Sequence, residues 1–170
     1  MAKSGEDNKA GAKGGKGGGR KWPRIENRRA RFEYAILETV ECGMELTGTE
    51  VKSLRAGNAT LAGAYARVAG GEVYLVGANI AEYPQAVGSL QHDPIRDRKL
   101  LLHGRQIARL QIHMNQKGHA LVPLAVYFKG GWAKCELGVG TGKRTFDKRE
   151  TIQKREQQRD MQRELRRGGR

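Results

Sequence analysis

The sequence predicts a mainly β protein with short α-helices, built as a small closed or partly open β-barrel with two or three peripheral helices and basic tails. Three observations lead there. Apolar residues alternate with polar ones over several short runs, and these runs are separated by Gly-rich turns. Helical periodicity is confined to brief stretches. With 38% hydrophobic residues, 29% charged residues and 24 Gly in 170, a packed core must be confined to part of the chain.

In chain order, residues 1–24 include Gly14-Gly15-Lys16-Gly17-Gly18-Gly19, which buries nothing and is expected to be disordered. A strand is expected from Phe32 to Val40, bulged where Leu37 and Glu38 break the alternation. Thr49 is placed to cap a short helix that runs past Ser53 to Gly57, burying Val51 and Leu54 and leaving Lys52 and Arg55 on another face. A hairpin follows, Leu61 to Val68 and Val73 to Val76 around Gly70-Gly71. Asp93-Pro94 reads as an N-cap with Pro at the first helical position, opening a helix from Ile95 to Leu102. Gly104 interrupts, after which Ile107, Leu110 and Met114 mark the buried face of a helix to Lys117-Gly118. The run Leu121 to Phe128 is a strand whose Pro123 places its beginning at an edge. Lys129-Gly130-Gly131 turns it into Trp132 to Val139, where Ala133, Cys135, Leu137 and Val139 face inward. From Glu150 to Arg167 composition favours helix, but the only apolar residues are Ile152, Met161 and Leu165. Such a segment lacks a face to dock and is expected to become helical only on a polyanionic partner.

Charge is distributed unevenly over three pieces. Residues 1–24 hold 7 Lys/Arg against 2 Asp/Glu, residues 143–170 hold 11 against 5, and the domain at residues 25–142 holds 14 against 11. Most of the formal charge of +14 therefore sits in tails, the footprint of a nucleic-acid partner that exchanges phosphates for counterions. There is no run of eighteen apolar residues for a transmembrane helix, and no apolar segment behind the N-terminal charges for a secretory signal. Cys42 and Cys135 are far apart and cannot make a disulfide framework, so a reducing cytosol is expected.

Catalytic and metal chemistry are not indicated. Gly138-Val139-Gly140-Thr141-Gly142-Lys143 resembles a phosphate-binding loop but has Leu137 in place of the first glycine and Arg144 in place of the Ser/Thr that holds magnesium. His92, His103, His113 and His119 lack metal-ligand spacing and read as surface or capping residues. Glu41 and Glu45 read as solvated or hydrogen-bonded carboxylates rather than an acid–base pair. No enzyme, cofactor or metal is expected. Three basic clusters remain on the domain: Arg28, Arg29 and Arg31; Lys52 and Arg55; and Arg96, Arg98 and Lys99. Phe32, Tyr34 and Tyr65 are the aromatics nearby that could stack on unpaired bases, and recognition of phosphate and shape is favoured over reading of sequence.

Five stretches in register resemble the SsrA-binding protein (SmpB) family, the bacterial partners of transfer-messenger RNA. They are Asn27-Arg28-Arg29-Ala30-Arg31 with Tyr34, residues 48–57, residues 93–103, residues 122–129, and Gly142-Lys143-Arg144 followed by Asp147-Lys148-Arg149-Glu150. The resemblance implies an oligonucleotide-binding-type (OB) barrel, not a catalyst, that grips the tRNA-like domain of transfer-messenger RNA and delivers it to stalled 70S ribosomes for peptide tagging. By motif position it implies that Glu41, Leu101 and His103 lie on the RNA-binding surface, with Arg28, Arg31, Lys52, Arg55 and Lys99 as neighbours. It implies that Gly142, Lys143, Arg144, Phe146, Asp147, Lys148 and Arg149 engage the decoding centre, and that the rest of the tail becomes helical in the vacant mRNA channel. A cytoplasmic monomer is implied, which would meet elongation factor Tu and alanyl-tRNA synthetase through the RNA. Arg144 stands where a second Lys is usual, Phe146 where His or Tyr is common, and Gly104 where a basic residue often stands. The competing expectation is a ribosomal or ribosome-assembly protein whose basic tails thread folded rRNA.

Overall fold

The computed structural model describes residues 22–86, 88–143, 157 and 159–162. Its elements are β1 (Ile25–Glu26), α1 (Arg28–Glu33), β2 (Tyr34–Met44), α2 (Gly48–Ala56), β3 (Ala59–Thr60), β4 (Tyr65–Ala69), β5 (Glu72–Val76), β6 (Asn79–Ile80), β7 (Arg98–Leu101), α3 (Gly104–Met114), β8 (His119–Lys129) and β9 (Trp132–Gly142). All pairings are antiparallel. The order β8-β4-β5-β7-β2-β9 closes on itself because β9 also pairs with β8, and β1 adds to β8 while β3 and β6 form a separate ribbon. A closed ring leaves no unpaired strand edge.

The interior follows from the period of two. Cys42 and Met44 of β2, Val73 and Leu75 of β5, Leu100 of β7, Leu121 of β8, and Cys135, Leu137 and Val139 of β9 all point inward and are buried. Gly70-Gly71 and Gly130-Gly131 turn the two hairpins with positive φ at all four residues, the turn that matches the strands' twist. Register slips between Ile36 and Glu38, so that Leu37 is extruded and 57% exposed, as the broken alternation predicts. Leu110 seals one side of the barrel from α3, with Ile107 and Met114 packed against the core.

Five expectations are corrected. The helix expected over residues 95–102 is a turn followed by β7. Asp93 does accept the Ile95 N–H at 2.9 Å, but the segment then extends, with Arg98 and Leu100 inward and Lys99 and Leu101 outward. Arg98 and Arg96 therefore leave the expected surface cluster. Arg98 is fully buried and joins Glu50 at 2.8 Å, while Arg96 clasps the same carboxylate at 2.7 Å and 2.9 Å. The cap of α2 is Thr47, with Glu50 in a capping box, and Thr49 instead bonds His92 Nδ1 at 2.9 Å. His92 is thus a buried structural residue, its Nε2 on the Ile80 carbonyl, whereas His103 is the cap of α3. Pro123 is not at an edge, since β8 pairs with β9 along its whole length. Pro123 sits instead at a register slip, between the stretches where β8 meets β1 and β4.

The strand expected from Phe32 begins instead at Tyr34, because helix α1 carries Arg28, Arg29 and Arg31 and takes in Phe32. Buried Asn27 caps it through Oδ1 to the Ala30 N–H and uses its amide to bond the carbonyls of Leu61 and Pro123, both at 3.0 Å. Ala30 then covers Val122 and Leu124, a second small core on the outside of the barrel that also takes in Tyr34 and Ile36.

Candidate nucleic-acid interface

Because β2 and β7 send Cys42, Met44 and Leu100 inward, their alternate residues Glu41, Gly43, Lys99 and Leu101 share the outer face. Gly43 and Leu101 are register partners, and a Cβ on Gly43 would lie 3.2 Å from Leu101 Cβ. Glycine there lets the Leu101 side chain, 50% exposed, lie flat across β2. His103 follows at the exposed start of α3, its N–H donating to Gln106 Oε1 at 3.0 Å. The structure therefore brings Glu41, Leu101, Lys99 and His103 onto one connected surface.

Glu41 is held in place rather than free. The Tyr127 hydroxyl donates to it at 2.5 Å and Lys129 Nζ at 3.1 and 3.2 Å. Those two bonds, the tyrosine's first, hold the Glu41 carboxyl below the usual carboxylate range, and the same bond pushes the Tyr127 phenol up to about 12. The carboxylate is thus a fixed, ionised acceptor on a basic surface. A groove of about 280 Å³ between β2 and α3 adjoins it, and Arg109 reaches across to Glu38 at 3.1 Å.

Lys99 is paired with Glu72, which also accepts the Tyr74 hydroxyl at 2.6 Å. The hydrogen bond to Glu72 raises the Lys99 pKa, keeping it charged. On α2, Arg55 lies over the Trp22 and Phe128 rings at 4.8 and 5.4 Å, and Lys52 over the Tyr83 ring at 5.0 Å. Phe128 packs toward the barrel core while its neighbour Tyr127 points outward to Glu41, so Arg55 meets the opposite face of β8 from the Glu41 group. On α1, Arg31 reaches the Glu41 face through Glu136, the register partner of Glu41, whereas Arg28 points away to solvent. Arg28 is exposed, and Arg31 bonds Glu136 at 3.0 Å.

Lys143 continues from β9 and is fastened to α1, its N–H on the Glu33 carbonyl at 2.8 Å and its Nζ on the Arg31 carbonyl at 3.3 Å. Gly142 is exposed at the end of β9. Arg144, Phe146, Asp147, Lys148 and Arg149 lie outside the described residues, as does residues 1–21. Gln157 and residues 159–162 are helical and exposed.

Of the aromatics considered for stacking, Tyr34 belongs to the small outer core, Phe32 is half-buried, and Tyr65 is 48% exposed at the start of β4. Sequence reasoning missed the residues that fix Glu41, namely Tyr127 and Lys129, and the Gly43 that seats Leu101. It also missed Trp132, 75% exposed beside the β8–β9 turn. The signal for Trp132 was present, since it lies on the outward phase of β9.

The family model described as "SmpB protein" matches residues 24–167. An SsrA-binding protein of Chloroflexus aurantiacus is 54% identical over 142 residues, covering 84% of this chain and 89% of that protein. Another, from Halalkalibacterium halodurans, is 51% identical over 140 residues, covering 82% and 90%. A solved chain described as "tmRNA-SmpB: a journey to the center of the bacterial ribosome" matches with a TM-score of 0.62 and 48% identity, over 76% of this chain and 94% of that one. With a family model matching residues 24–167 and relatives identical at about half of the aligned positions over 89–90% of their own length, the chain belongs to the SmpB family of SsrA-binding proteins.

Proposed function

We propose that this protein binds the tRNA-like domain of transfer-messenger RNA and carries it to stalled ribosomes for trans-translation, as an adaptor in the cytoplasm rather than an enzyme. The observation that carries this reading is the identity of about half the chain with proteins named for binding SsrA. The domain at residues 25–142 holds the RNA. Glu41, Leu101 and His103 make the central contact, Lys99 and Arg31 flank it, and Arg28, Lys52 and Arg55 meet phosphates further off. Gly142, Lys143, Arg144, Phe146, Asp147, Lys148 and Arg149 engage the decoding centre, and the remaining tail enters the mRNA channel as a helix. The protein acts as a monomer, and elongation factor Tu and alanyl-tRNA synthetase meet the RNA rather than the protein.

The test is a competition among the tRNA-like domain, an ordinary tRNA and a hairpin of equal length. Preference for the first is expected to persist at about 0.15–0.2 M salt, where non-specific phosphate binding fades. Equal binding to all three, lost together as salt rises, would favour the ribosomal-protein reading instead.

The division of labour predicts a second result. Deleting residues 150–170 should leave RNA affinity within about threefold while abolishing tagging in a reconstituted translation system, because a tail carrying 7 Lys/Arg against 4 Asp/Glu adds little net charge to the RNA contact. Replacing Lys148 and Arg149 by Ala should act in the same direction. Loss of most RNA affinity on truncation would refute the division.

A further inference from the structure

Cys42 and Cys135 are 93 positions apart in sequence and directly opposite one another in the barrel, as register partners of β2 and β9. Both side chains point into the core, Cys42 1% exposed and Cys135 fully buried. Cys42 Sγ donates to the Cys135 carbonyl at 3.1 Å, and both thiols are free. Directly opposed residues of antiparallel strands have Cα atoms about 4.5–5.5 Å apart, within the range of about 4.4–6.8 Å over which a disulfide closes. Contact with the Cys42 thiol, together with burial, pushes the Cys135 thiol well up, so Cys135 rests protonated and unreactive.

We infer that this pair is a redox modification site, a dithiol that the closed barrel aligns for conversion to a disulfide between β2 and β9. The oxidant is a small-molecule disulfide such as oxidised glutathione. When β2 and β9 part locally, one cysteine loses its proton to water and its thiolate attacks the glutathione disulfide. A protein–glutathione disulfide forms and one glutathione thiolate leaves. The second cysteine, likewise deprotonated, attacks the protein sulfur of that mixed disulfide. The Cys42–Cys135 bond forms and the second glutathione departs, so that two thiols give up two electrons and two protons to make two reduced glutathiones. Closure drives the second step, because the glutathione adduct is too bulky for an interior occupied by Met44, Leu100 and Leu137, whereas the disulfide occupies the volume of the two thiols. The product would staple the strand that carries Glu41 and Gly43 to the strand that leads out to Gly142 and Lys143.

The full chain is equilibrated with mixtures of oxidised and reduced glutathione, in native buffer and in concentrated urea. Acid-quenched samples are alkylated and analysed by intact mass and peptide mapping. The expected result is a Cys42–Cys135 bond in the monomer whose effective concentration is about tenfold or more higher in native buffer than in urea. The oxidised protein should also unfold at a higher urea midpoint than the reduced one. The Cys42→Ser and Cys135→Ser variants should show no oxidation-dependent change in midpoint. An effective concentration in native buffer equal to or below that in urea overturns the inference. So does a native product dominated by glutathione adducts or intermolecular dimers.

Discussion

Replacing Arg98 with Met is expected to lower the free energy of unfolding by about 3–5 kcal/mol, the usual cost of removing one partner of a buried ion pair. In urea this should appear as a lower midpoint at unchanged slope. Arg98 and Glu50 are both wholly buried. Glu50 accepts from Arg96 twice, from Arg98 and from the Thr47 N–H at 2.7 Å. Arg98 spends its remaining donors on the carbonyls of Ala78 at 2.6 Å, Pro94 at 2.9 Å and Arg96 at 3.0 Å. One guanidinium thus ties α2, the loop before β7 and the segment after β5. Its loss takes a donor from the carbonyls of Ala78 and Arg96 and from the buried Glu50 carboxylate, whereas the Pro94 carbonyl keeps the Ile80 N–H at 3.0 Å. The double variant Glu50→Met with Arg98→Met should recover part of the loss, because Arg96 is 34% exposed and can turn to water. A single Arg98→Met variant within about 1 kcal/mol of the parent would show that the network contributes little.

The same network sets a pH dependence. Burial alone would raise the Glu50 pKa, but bonds from Arg96, the Thr47 N–H and Arg98 outweigh it and hold the carboxyl below the ordinary range. A folded value below the unfolded one, about 4.3, means the stabilisation is fully present above that pH and is lost as pH falls through the folded value. The acid limb of a stability–pH profile should be shallower in the double variant, which lacks Glu50.

The second large effect is expected at Glu41. If the proposed RNA surface is right, Glu41→Ala should weaken binding to the tRNA-like domain by about 10- to 150-fold, the loss of one hydrogen bond to a charged group worth about 1.5–3 kcal/mol. A carboxylate repels phosphate, so its place on a cationic surface is explained by accepting from base N–H groups or by fixing its neighbours. Two further variants separate these roles. Glu41→Gln keeps one acceptor but releases Lys129, whereas Lys129→Ala removes a pinning partner and leaves the carboxylate. A loss in Glu41→Gln comparable to Glu41→Ala, with little loss in Lys129→Ala, would identify the ionised oxygen itself as the contact. Folding should be nearly unaffected, since Glu41 is exposed. Unchanged affinity in a folded Glu41→Ala protein would remove the residue from the interface.

Legibility in the sequence followed how cleanly each segment separates polar from apolar. In β9, Cys135, Leu137 and Val139 face in and Trp132, Lys134 and Glu136 face out, so strand, turn and buried face can all be read. Even the bulge at Leu37 is visible as a broken alternation. In Arg98-Lys99-Leu100-Leu101 the inward residue Arg98 is the most polar of the four. A buried ion pair counterfeits a surface position, and Asp93-Pro94 ahead of it imitates a helix start. Helix α1 has six residues and a single buried side chain, Ala30, too little for any periodicity. Its determinant is Asn27, whose amide finds partners 34 and 96 positions away. For the candidate interface, motif resemblance supplied Glu41, Leu101 and His103. The contacts that fix Glu41 could not be read, because Tyr127 and Lys129 reach it from a strand that is not its neighbour.

The closure of β2 against β9 also has a consequence in time. Synthesis proceeds at about 5–20 residues per second, and Cys42 precedes its register partner by 93 positions. Strand β2 is therefore made roughly 5–20 s before the strand it pairs with along most of its length. During that interval Val40, Cys42 and Met44 have no complete barrel to enter, and the nascent chain carries an open sheet edge of the kind that aggregates. The ring can shut only once β9 has been made through Gly142.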